Sequence, residues 1–176
     1  MADHSEPIYL VDGYSDPAVL RIRGRASYLN ASPLSAFFKR MVDEQKLGVV
    51  VDFAQCSAMD STFLGILAGA ALDFRKQTPP MQIELVNLGT RNLELVRNLG
   101  LHRILEVQCN AEDLSFDASG TNTAPNAEAL DEERSSAVGM LKAHEKLIEA
   151  DPANQKKFQD VIAFLRLQVQ KDEDAT

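Results

Sequence analysis

Apolar and polar positions along the first hundred residues follow two repeats, a period of two and a period near 3.6, and they take turns. Leu20, Ile22 and Gly24 alternate with Arg21, Arg23 and Arg25 between Val19 and Arg25, which is the pattern of a half-buried strand. Ile8 to Val11 reads as a strand before it, and Asp12 to Pro17 supplies the turn of a hairpin. Leu34, Phe37, Phe38 and Met41 then recur at helical spacing up to Gln45, with Ser32 as N-cap and Pro33 in the first turn. Leu47 to Phe53 is short, almost wholly apolar and β-branched, as expected of a central strand covered on both faces. A helix over Thr62 to Lys76 carries Phe63, Ile66, Leu67, Ala70, Ala71 and Phe74 on one face and stops at Thr78-Pro79-Pro80. Met81 to Leu88 reads as a strand, Gly89-Thr90 opens a helix through Leu99 that Gly100 ends, and Ile104 to Val107 is a last short strand.

Strands alternating with helices after an opening hairpin predict an α/β fold, a mixed sheet of about five strands with right-handed crossovers and helices packed on it. Residues 1–110 form this domain. Residues 111–126 read as a linker, because Ser115 to Asn126 is rich in Ser, Gly, Thr, Asn, Asp and Pro. Residues 127–176 read as an acidic helical hairpin. Its first helix, Ala127 to Ala150, carries Val138, Leu141, His144 or Glu145, and Ile148 near one face, with Met140 and Leu147 adjacent. Asp151-Pro152 caps the second, through Val169, with a stripe of Phe158, Val161, Ile162, Leu165 and Val169. These stripes must be buried against the hairpin's own domain or against a second copy, which leaves a homodimer open.

Composition narrows the function. Apolar residues at 45% and charged residues at 25% fit a soluble globular protein. The net charge of -8 is uneven: 11 Lys/Arg against 12 Asp/Glu up to Cys109, then 7 against 14 in the last third. Nucleic-acid binding needs clustered basic residues, and only Arg21, Arg23 and Arg25 on one strand come near that, so no nucleic-acid partner is expected. Phe63 to Leu72, the longest strongly apolar stretch, is too short to cross a bilayer, and Met1 to Pro7 lacks a secretory signal's pattern, so a cytoplasmic protein is expected. Cys56 and Cys109 read as small apolar residues, and His4, His102 and His144 are too scattered for a metal or catalytic site. No nucleophile with a base, paired carboxylates or phosphate-cradling loop is recognisable, so neither a cofactor nor an enzyme is expected. Gly65 and Gly69 read as close packing of their helix on the sheet.

Chemistry concentrates in the loop from the central strand into the second helix, Asp52 to Thr62, ending Met59-Asp60-Ser61-Thr62-Phe63-Leu64-Gly65. Asp60, Ser61 and Thr62 before an apolar run are what any helix needs as an N-cap. The order and spacing also resemble the STAS family, whose hallmark is an apolar strand ending in Asp, a short loop and Met-Asp-Ser-Ser-Gly-Leu-Gly at a helix start. Arg23-Gly24-Arg25 with Tyr28-Leu29-Asn30, Asn87-Leu88, Val96 to Leu101 and Ile104-Leu105 extend the resemblance over residues 8–107. Phe63 departs from it, standing where the family has glycine, and a bulky side chain there is expected to alter the surface beside Ser61.

The resemblance implies a bacterial anti-sigma-factor antagonist. In such a protein Ser61 is the residue phosphorylated by a partner serine kinase that is itself the anti-sigma factor, with Thr62 a secondary acceptor. A serine phosphatase would reverse the modification. Asp60, Ser61, Thr62, Phe63, Tyr28 and Asn30 form the expected partner surface. The alternative is a constitutive STAS scaffold or adaptor of a signalling or transport-associated complex, in which Ser61 only caps its helix.

Overall fold

The computed structural model describes residues 6–108 and 128–176. A six-stranded sheet has the order β5-β4-β3-β2-β1-β6. Its strands are β1 (Tyr9–Asp12), β2 (Ala18–Ala26), β3 (Gly48–Met59), β4 (Gln82–Val86), β5 (Glu106–Val107) and β6 (Glu128–Ala129). The β1–β2 hairpin is antiparallel, with Tyr9 opposite Ile22, whereas β2, β3, β4 and β5 run parallel. Three crossover helices link the parallel strands: α1 (Ser32–Asp43), α2 (Ser61–Arg75) and α3 (Thr90–Asn98). Each parallel strand is laid beside the previous one in the same direction, a connection that needs a crossover helix rather than a tight turn.

The fold class follows the hydrophobic pattern. Leu20 and Ile22 are fully buried while Arg21 and Arg23 are only partly covered, so the alternation in β2 sorts core from surface. In β3, Val49, Val50, Val51, Asp52 and Phe53 are all buried, as a strand covered on both faces requires. Gly100 ends the third helix with φ +70°, a backbone that side-chain-bearing residues avoid.

Local details add to these expectations or depart from them. Ser32 does not cap α1: Ala31 holds the cap position without a side-chain bond, because Ser32 already lies inside the helix. The stretch from Ala54 to Met59 is not loop but the second half of β3, paired with Arg23 to Ala26 of β2 through two register shifts. A sixth strand exists because Glu128 and Ala129 pair antiparallel with Val11 and Leu10. The first C-terminal helix therefore does not start at Ala127; α4 spans Ala137–Ala150, capped by Ser136, whose hydroxyl accepts from the Gly139 N–H.

The C-terminal hairpin, α4 followed by a 3-10 turn at Pro152–Asn154 and α5 (Gln155–Asp174), packs on its own domain. The buried face of α4 is Ala143, His144 and Leu147, whereas Val138 is 43% exposed, so the stripe lies to one side of the expected one. On α5, Ile162 and Leu165 are buried and Val161 faces outward. The turn is anchored by fully buried Asn154, whose Nδ2 donates to the Leu99 and Leu147 carbonyls at 3.0 and 2.8 Å. Asp151 caps the turn as expected, accepting from the Ala153 N–H.

The two glycines of α2 serve this hairpin rather than the sheet. A Cβ on Gly65 would lie 2.2 Å from the Ala143 carbonyl oxygen, and one on Gly69 would press on the Lys146 side chain. No helix among the described residues is long and apolar enough to cross a membrane.

Two helical glycines should consequently respond to alanine with opposite signs. Gly65→Ala is expected to lower the unfolding free energy by about 1–3 kcal/mol through overpacking. Gly139→Ala, whose new methyl would meet only the Ser136 hydroxyl at 3.4 Å and Ser135 at 3.9 Å, should raise it by about 0.5 kcal/mol. Urea titrations of the two variants check both signs.

Candidate functional site

Asp60 sets the site's geometry. With extended backbone (φ -111°, ψ 173°), it caps α2 through Oδ1, which accepts from the Phe63 N–H at 2.9 Å. Oδ2 accepts from the Tyr28 N–H at 2.8 Å, and the Asp60 N–H donates to the Ala26 carbonyl. One carboxylate thus ties the loop after β2 to the start of α2. That loop is held from within by Asn30, whose Oδ1 accepts from the Tyr9 hydroxyl at 2.7 Å and the Ser27 N–H at 3.0 Å. Its Nδ2 donates to the Arg25 carbonyl. Burial, with the Asp60 charge second, pushes the Tyr9 phenol far above its ordinary pKa, so Tyr9 stays a neutral donor.

Ser61 is the first residue of α2 and is half-buried. Its hydroxyl lies 2.9 Å from Nε2 of His144, a residue 83 positions away on α4. The other ring nitrogen, Nδ1, lies 2.7 Å from the Met140 carbonyl, which can only accept. Nδ1 therefore carries a proton and donates a hydrogen bond to that carbonyl, which leaves Nε2 as the ring atom facing the Ser61 hydroxyl. His144 is 4% exposed, and the Phe158 ring meets it edge-on at 5.2 Å. The histidine that chain position left isolated is thus hydrogen-bonded to Ser61. What could have pointed to it was its place on the apolar stripe of α4.

The other expected partner-surface residues divide. Asp60 and Tyr28 are partly exposed, and the Arg134 guanidinium sits 5.1 Å over the Tyr28 ring. Thr62, Phe63 and Asn30 face inward, at 4%, 0% and 7% exposure. Phe63 in particular does not shape the surface beside Ser61. Its ring stacks on Tyr9 and meets Phe53 edge-on, both at 6.4 Å between centroids, filling the core beneath the helix start. Asp52, at the family's strand-end position, is equally internal: Arg21 Nε, Asn87 Nδ2 and the Ala54 N–H converge on it at 3.3, 2.9 and 3.0 Å.

Cys56 is partly buried, and burial raises its thiol pKa above the ordinary value. Cys109 lies outside the described residues. No group of three or more metal-ligating side chains exists among the described residues. A cleft of about 490 Å³ between α1, α2 and α4 is lined by Phe38, Ile66, Phe74, Lys142 and Lys146 among others, but by neither Ser61 nor His144. The chemistry on offer at Ser61 is that of a hydroxyl at a helix N-terminus, paired with an imidazole from α4.

No curated protein matches the chain. Among solved structures, an anti-sigma factor antagonist from Mycobacterium paratuberculosis is similar at a TM-score of 0.51 and 18% identity, over 64% of this chain and 94% of that one. The anti-sigma factor antagonist SpoIIAA in its unphosphorylated form gives 0.48 and 15%, over 59% of this chain and 90% of that one. The phosphorylated form of SpoIIAA, described as a Bacillus cell fate determinant, gives 0.47 and 15%, over 57% and 90%. At such identities the mycobacterial likeness speaks for the fold alone. The family model described as "Mlab, STAS domain" matches residues 10–106, more than half of the sequence and the span from β1 to β5, and the chain therefore belongs to the STAS-domain family.

Proposed function

We propose that this STAS protein is a partner-switching antagonist of an anti-sigma factor, controlled by phosphorylation of Ser61. The observation that carries the reading is Ser61 itself, half-buried as the first residue of α2, with its hydroxyl hydrogen-bonded to His144. The protein binds rather than catalyses; the ATP is the kinase's substrate. In the transfer, the bond from Ser61 Oγ to the γ-phosphorus forms as that phosphorus separates from the ADP oxygen. The hydroxyl proton leaves to a base on the kinase or to solvent.

A phosphate at this position suits the local structure. The first turn of α2 presents backbone N–H groups without helical partners, and the positive end of the helix offsets part of the added charge of about -1.5 to -2. The fold survives, and the change falls on whatever docks there. Beside the Asp60 carboxylate, a new dianion is repelled by any acidic group of a partner and is costly to desolvate at an interface, which ends the complex. A serine phosphatase restores the hydroxyl. With Thr62, Phe63 and Asn30 turned inward, the contact surface of this reading narrows to Asp60, Ser61 and Tyr28.

Ser61→Ala should remain permanently bound to the kinase and Ser61→Asp should bind it at least tenfold more weakly. Capture from the native cell with each variant as bait, with and without ATP, checks this. Equal capture by both variants, with no phosphoserine in the cellular protein, would contradict it and favour the constitutive scaffold.

A further inference from the structure

We infer that the α4–α5 hairpin occupies the partner surface on α2 and must come off before Ser61 can be modified or bound; this rests on the switching role of Ser61 above. Three features of the contact support it. The Ser61 hydroxyl is spent on His144 at 2.9 Å, a distance that leaves no room for a phosphoryl group between the two. The α2 and α4 backbones touch at Gly65, where an added Cβ would sit 2.2 Å from the Ala143 oxygen, so nothing can slip between the helices. The hairpin's hold has these parts: it buries Ala143, His144, Leu147, Ile162 and Leu165, packs Phe158 on the core, hangs its turn on Asn154, and ties back through Lys157 to the Asn98 carbonyl and through Asp151 to Arg103. The outer face of α2 is consequently a helix-docking surface with one berth, which this chain's own α4 fills and a partner segment can take only in exchange.

The cover can be tested without a kinase. In a Ser61→Cys chain, residue-resolved mass spectrometry measures iodoacetamide labelling at position 61 relative to that at Cys56, which reports any general loosening. Adding Asn154→Ala, which removes both anchoring bonds of the turn, should raise that ratio at least tenfold. An unchanged ratio overturns the cover. A lock supplies the opposite arm: the Cβ position of Gly69 lies 3.8 Å from the Lys146 Cβ, the usual spacing in a disulfide. The oxidised Gly69→Cys/Lys146→Cys chain should lose ATP-sensitive capture of a kinase from the native cell, and reduction should restore it. Equal capture in both redox states overturns the cover. If neither wild type nor the reduced chain captures an ATP-sensitive partner, the switching reading fails, and the labelling ratio still decides the cover.

A second surface stands on independent residues. Asp160, Phe164, Leu167 and Lys171 recur at i, i+4, i+7 and i+11 on α5 and so share one face. Phe164 is 66% and Leu167 60% exposed, Val161 beside them is 41% exposed, and neither Asp160 nor Lys171 makes an ion pair among the described residues. The order acid, apolar, apolar, base is its own complement when reversed. The geometry points to a second copy of this chain as occupant, its α5 antiparallel about a two-fold axis between residues 165 and 166. That axis sets each Asp160 against the other Lys171 and each Phe164 against the other Leu167.

So small a stripe gives a weak dimer, below the area of a standard interface. Sedimentation equilibrium over a wide concentration range should show self-association that Asp160→Lys or Lys171→Asp weakens at least tenfold. Combining the two substitutions should restore it, and Phe164→Glu should abolish it. A monomer at every concentration, or a double variant no better than the singles, overturns the proposal.

Discussion

Where α2 crosses α4, the position of a missing methyl on Gly65 lies 2.2 Å from the Ala143 carbonyl oxygen, so the two backbones meet without side chains between them. That contact fixes how α4 lies, and the next residue, His144, is thereby aimed at the first turn of α2, where the Ser61 hydroxyl waits. Packing at one crossing thus determines the chemistry one turn away. The ring's orientation is fixed from both sides, because Nδ1 donates a hydrogen bond to the Met140 carbonyl while Nε2 faces the Ser61 hydroxyl.

Beneath this contact lies a rigid frame. Asp60 joins the loop after β2 to the helix start, Asn30 holds that loop from inside, and Phe63 fills the space between Tyr9 and Phe53. The segment returning along β6 closes over the same loop, with the Ser135 N–H donating to the Tyr28 carbonyl at 2.7 Å and the Ser32 N–H to that of Glu133. The hairpin that follows is held by fewer buried apolar groups than the sheet and its crossover helices. Such unequal stability is the usual condition for one part of a protein to open while another stays folded.

The sequence discloses the domain because its information is periodic. Alternation in β2, the β-branched run of β3 and the apolar face of α2 each imply burial on a known side, and the structure buries Leu20, Val51 and Leu67 accordingly. What escaped was either short or non-local. β6 is two residues long, Glu128 and Ala129, and exists only because β1 offers an edge to pair with. The far half of β3, Ala54 to Met59, has no apolar pattern and is strand by virtue of its ladder with β2. The Ser61–His144 bond spans 83 positions and joins α2 to α4, which no local pattern encodes. Phe63 was legible in one way and misleading in another. Its place on the apolar face of α2 implied the core, while its place in the motif suggested the surface, and packing decided for the core.

The account depends on the hairpin holding Ser61 through the imidazole of His144, and nitrogen-15 NMR of the histidine side chains tests that bond directly. The structure predicts a proton on Nδ1 of His144 and an Nε2 signal that moves when Ser61→Ala removes its hydrogen-bond partner. A ring without a proton on Nδ1, or ring nitrogens indifferent to that substitution, would contradict it.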